Sequence, residues 1–179
     1  MAYSQQPPSS GFRVPLMTGS AFPHNQAGNP PFQDLDGSPV FIGSALFDKS
    51  VHPCKIAPNL GSVCLVAYGG GERAHDGRYD LLPFDPNTME WVPASHGRIP
   101  DGRRPVEGGY EENGERLYHG ESQECWSMRP HNNTTFEAVG VVSGIKVPGK
   151  TGAHLGGANV SFGGGEHACQ NYEILCWKF

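Results

Sequence analysis

The chain contains two diverged copies of one sequence unit, and this repeat limits the folds that are open to it. Each copy holds an acidic residue, a turn, an apolar pair and a glycine in the same register. Three glycines followed by glutamate come next in both copies, and a tyrosine, an acidic residue and two apolar residues close each one. Such ordered self-similarity predicts two related structural units that pack together. The aligned segments are 34–43 with 111–120, 69–72 with 163–166, and 78–82 with 171–175.

The spacing between matching residues shows where the two copies differ in length. It is 77 residues at Asp34 and Glu111 but 95 residues at Lys55 and Lys150, so the second copy carries an 18-residue insertion. Residues 1–11 are rich in Ser, Gln and Pro, which predicts a flexible N-terminal tail. We therefore assign 12–84 to the first repeat, 91–179 to the second, and the insertion to a stretch near 121–138.

The composition and the apolar pattern both indicate strands rather than helices. The chain has 25 Gly and 16 Pro among 179 residues, which disfavours long helices and suits short strands joined by tight turns. We find no convincing amphipathic helix, and we predict an all-β fold built from two pseudo-symmetric tandem repeats. The short runs that read as strands are 40–42, 63–68, 79–82, 116–118, 158–162 and 172–177.

The charge and the chain ends indicate which partners and compartments to expect. A formal net charge of −5 argues against a nucleic-acid partner and against an anionic membrane surface, because both require a basic face. No apolar run is long enough for membrane insertion, and the N-terminus lacks a secretory signal. We therefore expect a cytoplasmic protein, or one released by an unconventional route. The odd count of five cysteines favours reduced thiols over a disulfide framework.

A search of the sequence for catalytic motifs gives no support for an enzymatic function. The sequence has no GxSxG elbow, no HExxH helix and no cysteine and histidine spacing typical of zinc, so we expect no catalytic residues, no metal and no cofactor. Residues 144–151 spell the GxxxxGK[ST] phosphate loop, but a glycine-rich stretch follows where that loop requires a helix. A glycosidase that uses a pair of carboxylates stays an open alternative at this point, because the distance between the two carboxylates decides whether they can catalyse hydrolysis.

Several segments together are similar to a known family. They are 91–95, 99–100, 109–111, 148–150, 152–155, 166–167 and 171–175, and the similarity extends over most of the first copy from residue 34 onward. In these segments the chain resembles the DM9 (DM-nine) repeat family, which includes mannose-binding lectins and the N-terminal repeat of natterin-like proteins. The resemblance implies two small β-sandwich units and metal-independent binding of mannose or mannose-containing glycans.

The resemblance also implies which residues hold the sugar. An acidic residue and the lysine of a Pro-Gly-Lys turn bind it, which points to Glu111 with Lys150 and to Asp34 with Lys55. The family has aspartate where this chain has Glu111, so the carboxylate is displaced by about one bond length. A carboxylate accepts hydrogen bonds and an ammonium donates them, so such a pair can hold two adjacent hydroxyls. Further candidates for the same pockets are Glu72, Glu166 and His167, with His154 beside them.

Alternatives remain open at the level of the residues and of the whole chain. Lys55 and Lys150 could be ordinary exposed lysines in turns, and Glu72 and Glu166 could cap turns instead of binding sugar. The chain could also be a non-catalytic protein-interaction module, associated with toxins or immunity, that keeps the fold without binding sugar. Sugar sites of this kind are weak singly, so we expect a homo-oligomer, most simply a dimer, to raise avidity.

Overall fold

The computed structural model describes residues 8–122, 125–131, 135–142 and 144–178, and within them the chain is nearly all β. The described part holds one short helix, α1 at His24–Ala27, and a single 3-10 turn at Ala153–Leu155. The all-β prediction is confirmed. None of the helical segments in these ranges has the length and apolar character needed to cross a membrane.

Seventeen strands are present in the described ranges, and they divide between the two halves of the chain. Those of the first half are β1 (Val14–Met17), β2 (Phe32–Gln33), β3 (Pro39–Leu46), β4 (Val51–Ile56), β5 (Cys64–Tyr68), β6 (Gly71–Ala74) and β7 (Arg78–Leu82). Those of the second half are β8 (Met89–Ser95), β9 (Arg104–Pro105), β10 (Glu107–Tyr110), β11 (Arg116–Ser122), β12 (Cys125–His131), β13 (Thr135–Val142), β14 (Val147–Gly152), β15 (Gly157–Phe162), β16 (Gly165–Cys169) and β17 (Asn171–Trp177).

The repeat that the sequence predicts is visible in the strand pairing. In the first half β3 pairs with β2, β4 and β7, and in the second half β11 pairs with β10, β14 and β17. The order β4, β5, β6 in the first half matches β14, β15, β16 in the second. Likewise β1 pairs with β7 as β8 pairs with β17. The two halves are therefore pseudo-symmetric copies of one arrangement.

The two halves share one sheet, which closes on itself. Strands β6 and β16 meet at Gly71 and Gly165, and β10 meets β4 at Tyr110 and Val51. These two junctions close a β-barrel of eight strands, β4, β5, β6, β16, β15, β14, β11 and β10, with the remaining strands of the sheet outside the ring. Both halves thus contribute to a single closed structure.

Closure of the ring depends on a glycine in β10. A Cβ atom added at Gly109 would lie 1.9 Å from the carbonyl oxygen of Val51, so no other residue lets β10 approach β4 this closely. The matching position in the first half is Phe32, and β2 pairs with β3 alone. The pseudo-symmetry is broken here, and only one of the two possible closures forms.

The hydrophobic core is shared between the halves. One cluster combines apolar side chains from both, and the aromatic residues Tyr79, Tyr172 and Trp177 are only 3–6% exposed. Burial of such side chains is the main driving force for folding. The cluster consists of Phe32, Val40, Ile42, Ala57 and Leu82 from the first half with Met89, Val106, Leu175 and Trp177 from the second.

The N-terminal end of the described chain is attached to the second half by hydrogen bonds. Residues 8–11 are anchored, because the carbonyl oxygen of Ser9 accepts hydrogen bonds from Trp177 Nε1 (3.1 Å) and from the amide of Glu107 (3.0 Å). Residues 1–7 of the predicted tail lie outside the described residues. The predicted insertion overlaps the antiparallel hairpin of β12 and β13.

The cysteines differ in their redox state. Buried free thiols are found at Cys54, Cys64 and Cys176, but Cys169 is disulfide-bonded, contrary to our expectation of reduced thiols.

Candidate functional site

Lys55 and Lys150 lie in strands, not in turns as the resemblance implied. Lys55 belongs to β4 and Lys150 to β14, and the two residues are only 6% and 4% exposed. An exposed lysine is therefore excluded at both positions. The same placement argues against a phosphate loop, since Lys150 sits inside a strand and a short 3-10 turn follows it.

In the first site, which we define by Asp34 and Lys55, the charge of the lysine is already neutralised by a carboxylate of the protein. Lys55 Nζ donates to Glu72 Oε2 at 2.7 Å and to the carbonyl oxygen of Ser161 at 3.1 Å. Asp34 lines the same narrow crevice as Lys55, and its Oδ1 accepts a hydrogen bond from the amide of Leu35. The carboxylate that contacts Lys55 directly is therefore Glu72, where we predicted Asp34.

The second site, which we define by Glu111 and Lys150, is arranged around a histidine. Lys150 Nζ lies 3.3 Å from His52 Nδ1 and 5.3 Å from the centre of the Tyr68 ring. Glu111 Oε2 lies 3.7 Å from His52 Nε2, and Glu111 Oε1 lies 3.3 Å from His154 Nε2. His52 thus separates the predicted pair, and in the described part of the chain no carboxylate lies within 4 Å of Lys150 Nζ.

Burial controls protonation in the second site. Desolvation lowers the pKa of Lys150, while Glu111 and Glu166 act in the opposite direction. Desolvation, together with the charge of Lys150, lowers the pKa of His52 to about 4. His52 is therefore neutral at pH 7. An ammonium group can only donate, so His52 Nδ1 accepts from Lys150 and the ring proton resides on Nε2, which lies 3.0 Å from the hydroxyl of Ser50.

One residue difference explains why the two lysines are used differently. Lys150 is opposite Asn159 in the β14–β15 ladder, whereas Lys55 is opposite Leu65 in the β4–β5 ladder. The side-chain amide of Asn159 donates to Glu166 Oε1 at 2.9 Å and so occupies that carboxylate. Leucine has no donor, so in the first half the equivalent Glu72 bonds to the lysine instead.

The two triple-glycine hairpins exchange hydrogen bonds reciprocally. The amide of Gly70 donates to Glu166 Oε2 at 2.6 Å, and the amide of Gly164 donates to Glu72 Oε1 at 3.4 Å. The backbone amides of Glu72 and Glu166 donate in turn to the carbonyl oxygens of Gly164 (3.0 Å) and Gly70 (3.3 Å). Each glutamate therefore accepts a hydrogen bond from the hairpin of the opposite half and so links the two halves.

The two candidate histidines have different surroundings. His154 contacts Glu111 and lies 3.8 Å from Glu115 Oε2, which places it at the rim of the second site. His167 Nε2 lies 2.9 Å from the carbonyl oxygen of Phe162, within its own hairpin. Phe162 lines the crevice of the first site, but His167 does not, and His167 makes no hydrogen bond to either lysine in the described part of the chain. Within the described residues, no group of three His, Cys, Asp or Glu side chains could hold a metal ion.

Each site combines residues of both halves, which the sequence did not reveal. His52 and Tyr68 come from the first repeat but complete the second site, and Val147 and Phe162 from the second repeat line the first crevice. These residues occupy matching positions, so the difference in polarity between His52 and Val147 is a signal that the alignment contained. That difference can be interpreted only when it is known how the two halves pair.

Comparison with known proteins agrees with this architecture. The DM9 repeat family matches residues 34–132, more than half of the chain, from the start of the first site through Glu111 and β12. No curated protein matches the chain. The DM9 repeat is a lectin-like binding domain and not a known enzyme family, and the match is consistent with a carbohydrate-binding module. The chain belongs to the DM9 repeat family.

Proposed function

We propose that this protein is a lectin for mannose or mannose-containing glycans and that Glu111 and Lys150 form its main sugar site. The observation that carries the proposal is the state of Lys150. Its ammonium group is buried, contacts His52 through one hydrogen bond, and has no carboxylate within 4 Å in the described part of the chain. Two of its three N–H donors therefore remain for a ligand.

The chemistry of the second site suits a pair of neighbouring hydroxyl groups. Each hydroxyl can donate to the carboxylate of Glu111 and accept from the ammonium of Lys150. Hydrogen bonds to charged groups contribute roughly 1.5–3 kcal/mol, about twice the value for neutral pairs. Tyr68 adds an aromatic face beside Lys150. A neutral sugar satisfies all three groups without bringing a charge into the site.

The first site should bind more weakly. Lys55 already donates to Glu72 and to the carbonyl of Ser161, which leaves one donor for a sugar. Asp34 and the apolar side chains of Val147 and Phe162 line its crevice. A sugar there would have to compete with the Lys55–Glu72 ion pair, so we expect about one effective site per chain. Single open sites of this kind have dissociation constants of roughly 0.1–1 mM, and a homodimer would raise the avidity for multivalent glycans.

The proposal predicts that Lys150→Met abolishes binding at the second site. Loss of the charged donor should weaken the affinity for methyl mannoside at least about tenfold. The fold should survive, because burial of the cation is itself unfavourable and methionine fills a similar volume. Isothermal titration calorimetry gives the affinity and the stoichiometry, and the thermal midpoint reports the fold.

The matched control is Lys55→Met. This change leaves the half-buried Glu72 without its ammonium partner, so it should lower the thermal midpoint while the second site still binds sugar. Addition of EDTA should not affect either protein, since the proposed contacts are hydrogen bonds to Lys150 and Glu111. Unchanged mannose binding by Lys150→Met would refute the assignment of the site.

The competing function is a protein-interaction module without sugar binding, associated with toxins or immunity. A glycan array separates the two functions, because a lectin binds immobilised mannose-type glycans and free mannose competes. An array without any bound glycan would favour the interaction module.

A further inference from the structure

A solvent-filled hollow adjoins the second site and is not needed to bind a single sugar. Its volume is about 460 Å³, within the range of ligand pockets. It shares Tyr68 and Ser50 with the second site, and Glu112 on its wall follows Glu111 directly in the chain. A ligand bound at Lys150 would therefore lie near this hollow, because Tyr68 belongs to both.

The hollow contains an aromatic platform. Phe47 stacks on Tyr68 with ring centres 5.6 Å apart and an angle of 16° between the planes. Phe47 is 37% exposed, and His75, whose ring packs against it at 4.8 Å, is held by a 2.8 Å contact between its Nε2 and the carbonyl oxygen of Arg78. Phe47 also packs against His52 with ring centres 5.3 Å apart, so its orientation is fixed by three neighbouring rings. An exposed aromatic side chain held in this way beside a polar hollow suits the C–H face of a pyranose ring.

The charges of the hollow define the kind of ligand. Asp48, Asp76 and Glu112 line it, with Lys49 and His75 as the basic side chains among the lining residues that the structure describes. Three carboxylates offer acceptors for hydroxyl groups, and they repel an anionic ligand. A uronic or sialic acid is therefore disfavoured, and a neutral sugar is favoured.

We propose that this hollow is a second subsite, which binds the next residue of a neutral oligosaccharide whose terminal sugar occupies the second site. The inference rests on the proposed lectin function and deepens it, since it assigns oligosaccharides and not single sugars as the ligands. The first site opens instead onto a crevice with the apolar side chains Val147 and Phe162.

The test compares two neutral probes, methyl mannoside and mannobiose, against the wild-type protein and Phe47→Ala. Mannobiose should bind the wild type more tightly than the monosaccharide does. Phe47→Ala should weaken the binding of mannobiose roughly threefold to tenfold and leave that of methyl mannoside within about twofold. Phe12→Ala, which removes a phenylalanine that is 70% exposed and outside the hollow, is the matched control.

A second variant, Glu112→Gln, changes an exposed carboxylate that lines the hollow, without risk to the core. It should reduce the preference for mannobiose, or admit a disaccharide with a uronic acid as its second residue. Equal affinity for the two neutral probes, or equal losses for both in Phe47→Ala, would overturn the subsite and leave the lectin function standing. Failure of both probes to bind the wild type would instead refute the lectin function itself.

Discussion

A single difference between matching residues, Asn159 in one half and Leu65 in the other, decides how each buried lysine is used. The amide of Asn159 occupies Glu166, so Lys150 turns to His52 and keeps donors for a ligand. Without such an amide, Glu72 bonds to Lys55. The resemblance pointed to both lysines but not to all of their partners, because His52, which contacts Lys150, and Ser161, which accepts from Lys55, come from the other repeat. Spacing along the chain carries no information on contacts between halves.

At the same scale, His52 should make the stability of the protein depend on pH. Its pKa is about 4 in the folded protein and about 6.5 when unfolded, so the unfolded chain binds the proton more readily. The free energy of unfolding therefore falls as the pH drops from about 6.5 to 4, by roughly 2–3 kcal/mol from this group. The variant His52→Val, which copies Val147 of the other half, should show a shallower decline in urea denaturation between pH 4.5 and 7. Parallel curves for the two proteins would contradict the assignment.

At the scale of the elements, the sequence predicted six strands with a clear apolar pattern and missed others, among them two internal strands that contain proline. All six predicted runs lie largely within observed strands, β3, β5, β7, β11, β15 and β17. Strands β4 and β14 contain Pro53 and Pro148, which normally argue against an internal strand. Pro53 is tolerated because it lies between Val51, which pairs with β10, and Lys55, which pairs with β5. That gap is a property of the assembled sheet and cannot be inferred from local sequence.

The ring closure by β10 gives the prediction for this scale. Gly109→Ala should lower the free energy of unfolding by about 2–3 kcal/mol, because the added methyl group would collide with the backbone of Val51. Gly61→Ala is the matched control, as nothing lies within 4 Å of the added atom there. Urea denaturation of the two variants measures the difference. Equal stabilities would mean that β10 is not required at this distance from β4.

At the scale of the molecule, the two halves share a core and should not fold separately. Phe32 and Leu82 of the first half pack in one cluster with Leu175 and Trp177 of the second. Expressed alone, residues 1–84 and 85–179 should each give poorly dispersed amide spectra, since each would expose its side of that cluster to water. Mixing them should restore dispersion. A well-dispersed spectrum from either half alone would show that the shared cluster is dispensable.

The exchange of hydrogen bonds between the two triple-glycine hairpins has a consequence for the origin of the two proposed sugar sites. A chain with a single copy could complete a pocket only by meeting another molecule of itself, and its activity would vanish on dilution. Joining two copies end to end removes that dependence on concentration. It also allows the two sites to diverge in sequence. The Lys55–Glu72 ion pair of the first site can then serve stability, while the second site adapts to the proposed ligand.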